Sequence, residues 1–63
     1  MIYKNDKWKD EKHYQIIPRF NGGFILREYN KGIKKTEIDL TASDKQKFEK
    51  LLKENDWYEF IRS

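Results

Sequence analysis

The chain has 63 residues, enough for one small domain that buries only about 60% of its unfolded-chain surface. Charged residues make up 40% and hydrophobic residues 37%, but an aromatic content of 16% sets it apart from disordered chains, which are poor in aromatics. The absence of cysteine excludes a disulfide framework and a thiolate metal site. No run nears the roughly 20 apolar residues of a membrane helix, and no signal-peptide core is visible, so the chain reads as cytoplasmic.

The net charge is +3, and it is unevenly placed. Residues 1–35 carry nine basic and four acidic side chains, whereas residues 36–63 carry five basic and seven acidic. Such polarity favours a basic face for phosphates or an acidic protein surface. A lysine-rich solvated surface accounts for it as well.

Residues 1–12, MIYKNDKWKDEK, are highly charged and lack a clear period. They read as an edge strand or an irregular arm. Residues 13–20, HYQIIPRF, read as a strand with Tyr14, Ile16, Pro18 and Phe20 on one face. Pro18 has no N–H to donate, which points to an edge position or a bulge. Asn21-Gly22-Gly23 supplies a tight turn, because Asn and Gly tolerate positive φ. Residues 24–29, FILREY, form the next strand. Asn30-Lys31-Gly32 fits a three-residue hairpin loop closed by a left-handed glycine, followed by a strand over 33–40.

These two loops set a register in which Phe20 faces Phe24, Pro18 faces Leu26, Leu26 faces Thr36 and Phe24 faces Ile38. Tyr14, Ile16, Pro18, Phe20, Phe24, Leu26, Thr36, Ile38 and Leu40 then share one side, and a slip by one residue would scatter them. Thr41 with Asp44, or Ser43 with Gln46, caps a helix over 42–55. Phe48, Leu51 and Leu52 form its apolar stripe. Continued to the C-terminus, the helix would point Trp57 away from that stripe. It therefore stops near Asn55, where Asn suits a left-handed cap, and 57–61 form a short extended segment. The fold expected is α+β: a small antiparallel sheet of three strands, or four if residues 1–12 join it, with one C-terminal helix on one face. Phe24, Leu26, Ile38, Leu40, Phe48, Leu51 and Leu52 form its expected core.

No catalytic set can be assembled. One histidine, His13, and no cysteine leave neither a Cys/His pair nor a metal centre. A serine triad would need Ser43 or Ser63, a helix-start residue and the last residue. Gly22-Gly23 lacks the GK[ST] that follows in a phosphate loop. The expectation is a non-catalytic binding protein with no cofactor, metal, membrane or small-molecule substrate.

The sheet face away from the helix carries His13, Gln15, Ile17, Arg19, Ile25, Arg27, Tyr29, Ile33, Lys35, Glu37 and Asp39. Arg19, Arg27, Tyr29 and Lys35 would form one patch there, with Lys31 and Lys34 at its rim. Cations neutralise phosphates, Arg reads guanine edges and Tyr stacks on bases, so nucleic acid is the first partner expected, DNA before RNA. Arg and aromatics also centre protein interfaces, which makes a protein-docking regulator or inhibitor the alternative. The order of two hairpins (NGG, NKG) and then LTASDKQKFEKLL resembles the architecture of small sheet-type DNA-binding domains. Examples are the arm-type domains of phage integrases and the plant AP2 domain. That resemblance implies a sheet entering the major groove and assigns no individual residue. The short length also suits phage or mobile-element accessory proteins that dock on a host machine.

Overall fold

The computed structural model describes residues 1–61. Five strands form one antiparallel sheet: β1 (Ile2–Lys4), β2 (Lys12–Pro18), β3 (Phe24–Asn30), β4 (Ile33–Leu40) and β5 (Tyr58–Phe60). A single helix, α1 (Ala42–Glu54), separates β4 from β5. The spatial order is β4-β3-β2-β1-β5, so α1 carries the chain from one edge of the sheet to the other. The α+β class and the meander over β2–β4 match the sequence reading, while the sheet is wider than the three or four strands expected.

The N-terminal segment accounts for one of the two extra strands. Far from lying at an edge, β1 is interior, between β2 and β5. Each of these strands is three residues long, too short to display an alternation. Tyr3 is buried on the helix side, and its hydroxyl donates to the Glu49 carboxylate. Burial and the Glu49 charge together hold its phenol well above the usual tyrosine range. Burial opposes the charge on Glu49 itself, but hydrogen bonds from Lys45 and Tyr3 outweigh it and keep its carboxyl below the ordinary value.

Both hairpin registers differ from those expected. In the first, Arg19 N–H donates to the Gly23 carbonyl at 2.8 Å and Pro18 pairs with Phe24. The loop is thus Phe20-Asn21-Gly22, one residue earlier, with Gly22 at φ +86°. Phe20 stands at its tip, fully exposed, instead of facing the core. In the second, Asn30 pairs with Ile33, leaving a two-residue loop, Lys31-Gly32, with both φ positive. That is the turn whose twist matches paired strands. The left-handed Gly32 was anticipated; the loop length was not.

A register shift then absorbs one residue of β4 at Lys35, since Tyr29 pairs with Lys34 and Glu28 with Thr36. The shorter loop and the bulge each displace the register by one residue. Together they displace it by two, so Leu26 faces Ile38 and Phe24 faces Leu40 while every side chain from Thr36 on keeps its expected face. The bulge lies here and not at Pro18. β2 is an interior strand, but β1 pairs it only at Tyr14 and Gln15, so Pro18 lies beyond the reach of β1.

Thr41 caps α1 by accepting from the Asp44 N–H at 3.1 Å. The helix ends at Asn55, as the sequence suggests, but Asp56 takes the left-handed conformation at φ +67°. Trp57 N–H then bonds back to the Leu52 carbonyl at 2.9 Å, and Asp56 N–H to that of Lys53. This is the Schellman arrangement with its hydrophobic contact, because Leu52 and Trp57 are both buried. The core consists of Tyr3, Ile16, Leu26, Leu52 and Trp57, flanked by Tyr14, Phe24, Leu40 and Phe48. Two expected core members lie outside it: Leu51 is 56% and Ile38 51% exposed. The helix stripe is Phe48 and Leu52, one position narrower than the sequence implied, and it does not reach far enough across to cover Ile38.

Candidate binding face

With α1 packed against Tyr3, Tyr14 and Ile16, the opposite face of the sheet is open. The register sets two rows across it. One runs Phe60, Ile2, Gln15, Arg27, Glu37. The next holds Tyr58 and Lys4, then His13, Tyr29 and Lys34. Ile17 pairs with Ile25, and Ile25 with Asp39, in a third. Alternation along each strand places these side chains on the face away from the core.

The expected site residues divide into three groups. Arg27 and Tyr29 lie side by side on the open face, and Arg19 lies on the same face at the end of β2. Lys34, expected at the rim, takes the place opposite Tyr29. Lys35 sits in the bulge and lines a groove with Trp8, Glu11, Asn30, Lys31 and Ile33. Lys35 is therefore not part of the patch with Arg27 and Tyr29. Lys31 occupies the turn, exposed, at φ +50°.

The cations on this face already have partners. Arg27 Nε donates to Glu37 Oε1 at 2.6 Å, Lys34 Nζ reaches the same oxygen at 3.4 Å, and Arg19 donates to Asp39 at 2.5 Å. The Glu37 bond raises the Arg27 guanidinium above its usual value, and the Arg27 bond with Lys34 nearby lowers the Glu37 carboxyl. Both ions are exposed, so the pairs mainly cancel local charge and contribute little to stability. The anions of these three pairs come from β4, whose acidic half the sequence displays but whose register decides which cation it meets.

Tyr29 is also engaged. Its ring stacks on His13 with centroids 4.7 Å apart and planes 6° from parallel, and its hydroxyl donates to Gln15 at 3.2 Å. Burial is the main cause holding His13 below the ordinary imidazole value, with Lys4 adding to it and Asp10 opposing. Lys4 lies 4.3 Å over the Phe60 ring. Ile2, Lys4, Asp10, His13, Lys31 and Phe60 are among the residues around a shallow hollow. Lys4, Ile2, Tyr58 and Phe60 are face residues that the sequence reading missed, because two three-residue strands bring them there.

Among the described residues, no three His, Cys, Asp or Glu side chains converge to hold a metal ion. No buried side-chain polar atom among them lacks a hydrogen-bond partner. Ser63, one of the two serines a triad could have used, lies outside the described residues. No helix among them is long and apolar enough to cross a membrane. The chain matches no family model, no curated protein and no solved structure.

Proposed function

We propose that the chain is a small non-catalytic binding protein, a regulator or inhibitor that docks on a protein partner through the open sheet face. The observation that carries this reading is the pairing of Arg19 with Asp39 and of Arg27 and Lys34 with Glu37. A face that neutralises its own cations offers little to a phosphate backbone, whose binding depends on free positive charge. The same pairs around Ile2, Ile17, Ile25, Tyr29 and Phe60 suit a protein interface, with aromatic and aliphatic side chains inside a polar rim. The sheet is also broad. Five strands spaced about 4.8 Å apart extend roughly 19 Å, against a major groove about 12 Å wide. Phe20, fully exposed at the β2–β3 tip, adds an anchor that a partner's apolar pocket could take.

A specific observation favours nucleic acid as the second reading. Lys7, Lys12, Lys31 and Lys35 gather with the exposed Trp8 at one end of the sheet, where Lys12 lies 5.4 Å and Lys7 5.9 Å from the Trp8 ring centre. Lysines beside an exposed aromatic suit a single strand better than a groove.

Titration of labelled duplex and single-stranded DNA and RNA at two salt concentrations separates the readings. The protein reading expects weak binding to all of them. It also expects a captured protein that is lost with Arg27→Ala or Tyr29→Ala and kept with Lys50→Glu on the helix. Tight, steeply salt-dependent nucleic-acid binding that is lost in Trp8→Ala overturns it in favour of the second reading.

A further inference from the structure

The outer edge of β4 is the longest unpaired run of backbone in the sheet. Its eight residues, Ile33–Leu40, bond to β3 on one side only and are exposed from Ile33 to Asp39. The other edge, β5, has three residues. A free strand of this length presents alternate N–H and C=O groups to any incoming strand. It contains no proline, the residue that would block pairing outright.

Its charges are ordered by sign. Lys34 and Lys35 occupy the first half, and Glu37 and Asp39 the second. We infer that β4 pairs antiparallel with β4 of a second copy of this chain, joining two five-stranded sheets about a two-fold axis. A two-fold pairing centred on Thr36 runs the Lys34-Lys35 half of each copy beside the Glu37-Asp39 half of the other. The favourable juxtaposition therefore occurs twice in each dimer. Parallel pairing in register would set lysine beside lysine and acid beside acid. The charge order thus selects both the occupant, a strand of the same sequence, and its direction.

Two further observations fit that occupant. Ile38 is 51% exposed on the helix side, beyond the reach of α1, and the second copy's β4 would pass directly beside it. The bulge at Lys35 and the lysines are devices that usually protect an edge from open-ended pairing. Here a two-fold pair uses up both long edges, so association closes at two copies. The open face keeps its solvent exposure in such a dimer, which leaves the binding surface proposed above intact.

The test uses the full chain and two charge-reversed variants. Lys34→Glu with Lys35→Glu makes β4 wholly acidic; Glu37→Lys with Asp39→Lys makes it wholly basic. Sedimentation velocity on the unsubstituted chain should show a monomer–dimer equilibrium that weakens with added salt. Each variant alone should dissociate at least tenfold more readily. An equimolar mixture of the two should restore a dimer containing one of each, which also shows that both variants fold. A chain that stays monomeric at millimolar concentration overturns the inference. So does a dimer that survives both reversals, or one that Ile25→Asp on the open face abolishes while the β4 reversals do not.

Discussion

Asn5 Nδ2 donates to the backbone carbonyl of Asn55 at 2.9 Å, tying the end of the first strand to the C-cap of the helix 50 residues later. Asn5 is a buried polar side chain, and it is bonded on both sides. Its Oδ1 accepts from Lys7 N–H at 2.9 Å, and its own carbonyl accepts from Trp8 and Lys9 N–H. One residue thus shapes the 5–11 loop and satisfies a helix-terminal carbonyl that would otherwise lack a partner.

Replacing Asn5 with alanine leaves that carbonyl and the Lys7 N–H without their partners. Leaving buried polar groups unbonded costs about 1–3 kcal/mol, a large share of the stability of a domain this small. Urea denaturation should place Asn5→Ala in that range. A loss under half a kcal/mol would mean that water replaces both bonds.

Leu51 and Leu52 are adjacent in sequence and opposite in consequence. Leu52 is buried against Tyr3 and Trp57 in the core, whereas Leu51 is more than half exposed. Leu52→Ala should cost about 2–5 kcal/mol and Leu51→Ala under about 1 kcal/mol. Equal losses would mean that the helix is rotated about its axis from the position described.

The contrast marks what the sequence could convey. Helix limits were legible, because Thr41 and Asn55 act through local geometry. The faces of β2, β3 and β4 from Thr36 on were legible too, since each register is displaced by two residues there and parity is preserved. The register itself was not, because Asn30-Lys31-Gly32 serves two loop types equally well. Tyr3 and Trp57 escaped notice as core residues because each belongs to a segment too short for a period. Their burial depends on pairing between β1 and β5, at opposite ends of the chain. The candidate face was half legible: Arg19, Arg27 and Tyr29 follow from alternation, but their neutralisation by Asp39 and Glu37 and the His13 stack require the register.

The Lys31-Gly32 turn gives a paired test. Both residues have positive φ, which a lysine adopts at a penalty of about 1–2 kcal/mol and glycine adopts freely. Lys31→Asn should raise the melting temperature, since Asn-Gly is the preferred pair for this turn. Gly32→Val should lower it, because no neighbouring atom crowds the site and backbone strain alone opposes the branched side chain. If Lys31→Asn is also neutral in binding assays, the Lys31 charge has no part in recognition.

His13 provides the pH dependence. Burial, reinforced by Lys4, holds its folded-state value below the ordinary 6.5, while Asp10 opposes. The neutral ring is the form that the fold favours. Above pH 6.5 neither the folded nor the unfolded chain carries the proton, and the full contribution is present. As pH falls below 6.5 the unfolded chain takes up the proton first, so stability declines until the folded value has been passed. A second decline follows below the ordinary carboxylate value of 4.5, where Glu37 and Glu49, both held low, begin to lose their charge preference. Melting temperature against pH should therefore fall in two steps, and His13→Gln should remove the upper one only. Nuclear magnetic resonance titration of the His13 ring should give a midpoint below 6.5. A midpoint above it would mean that Asp10 outweighs burial and Lys4, and the upper step would then reverse, with stability gained as the pH falls.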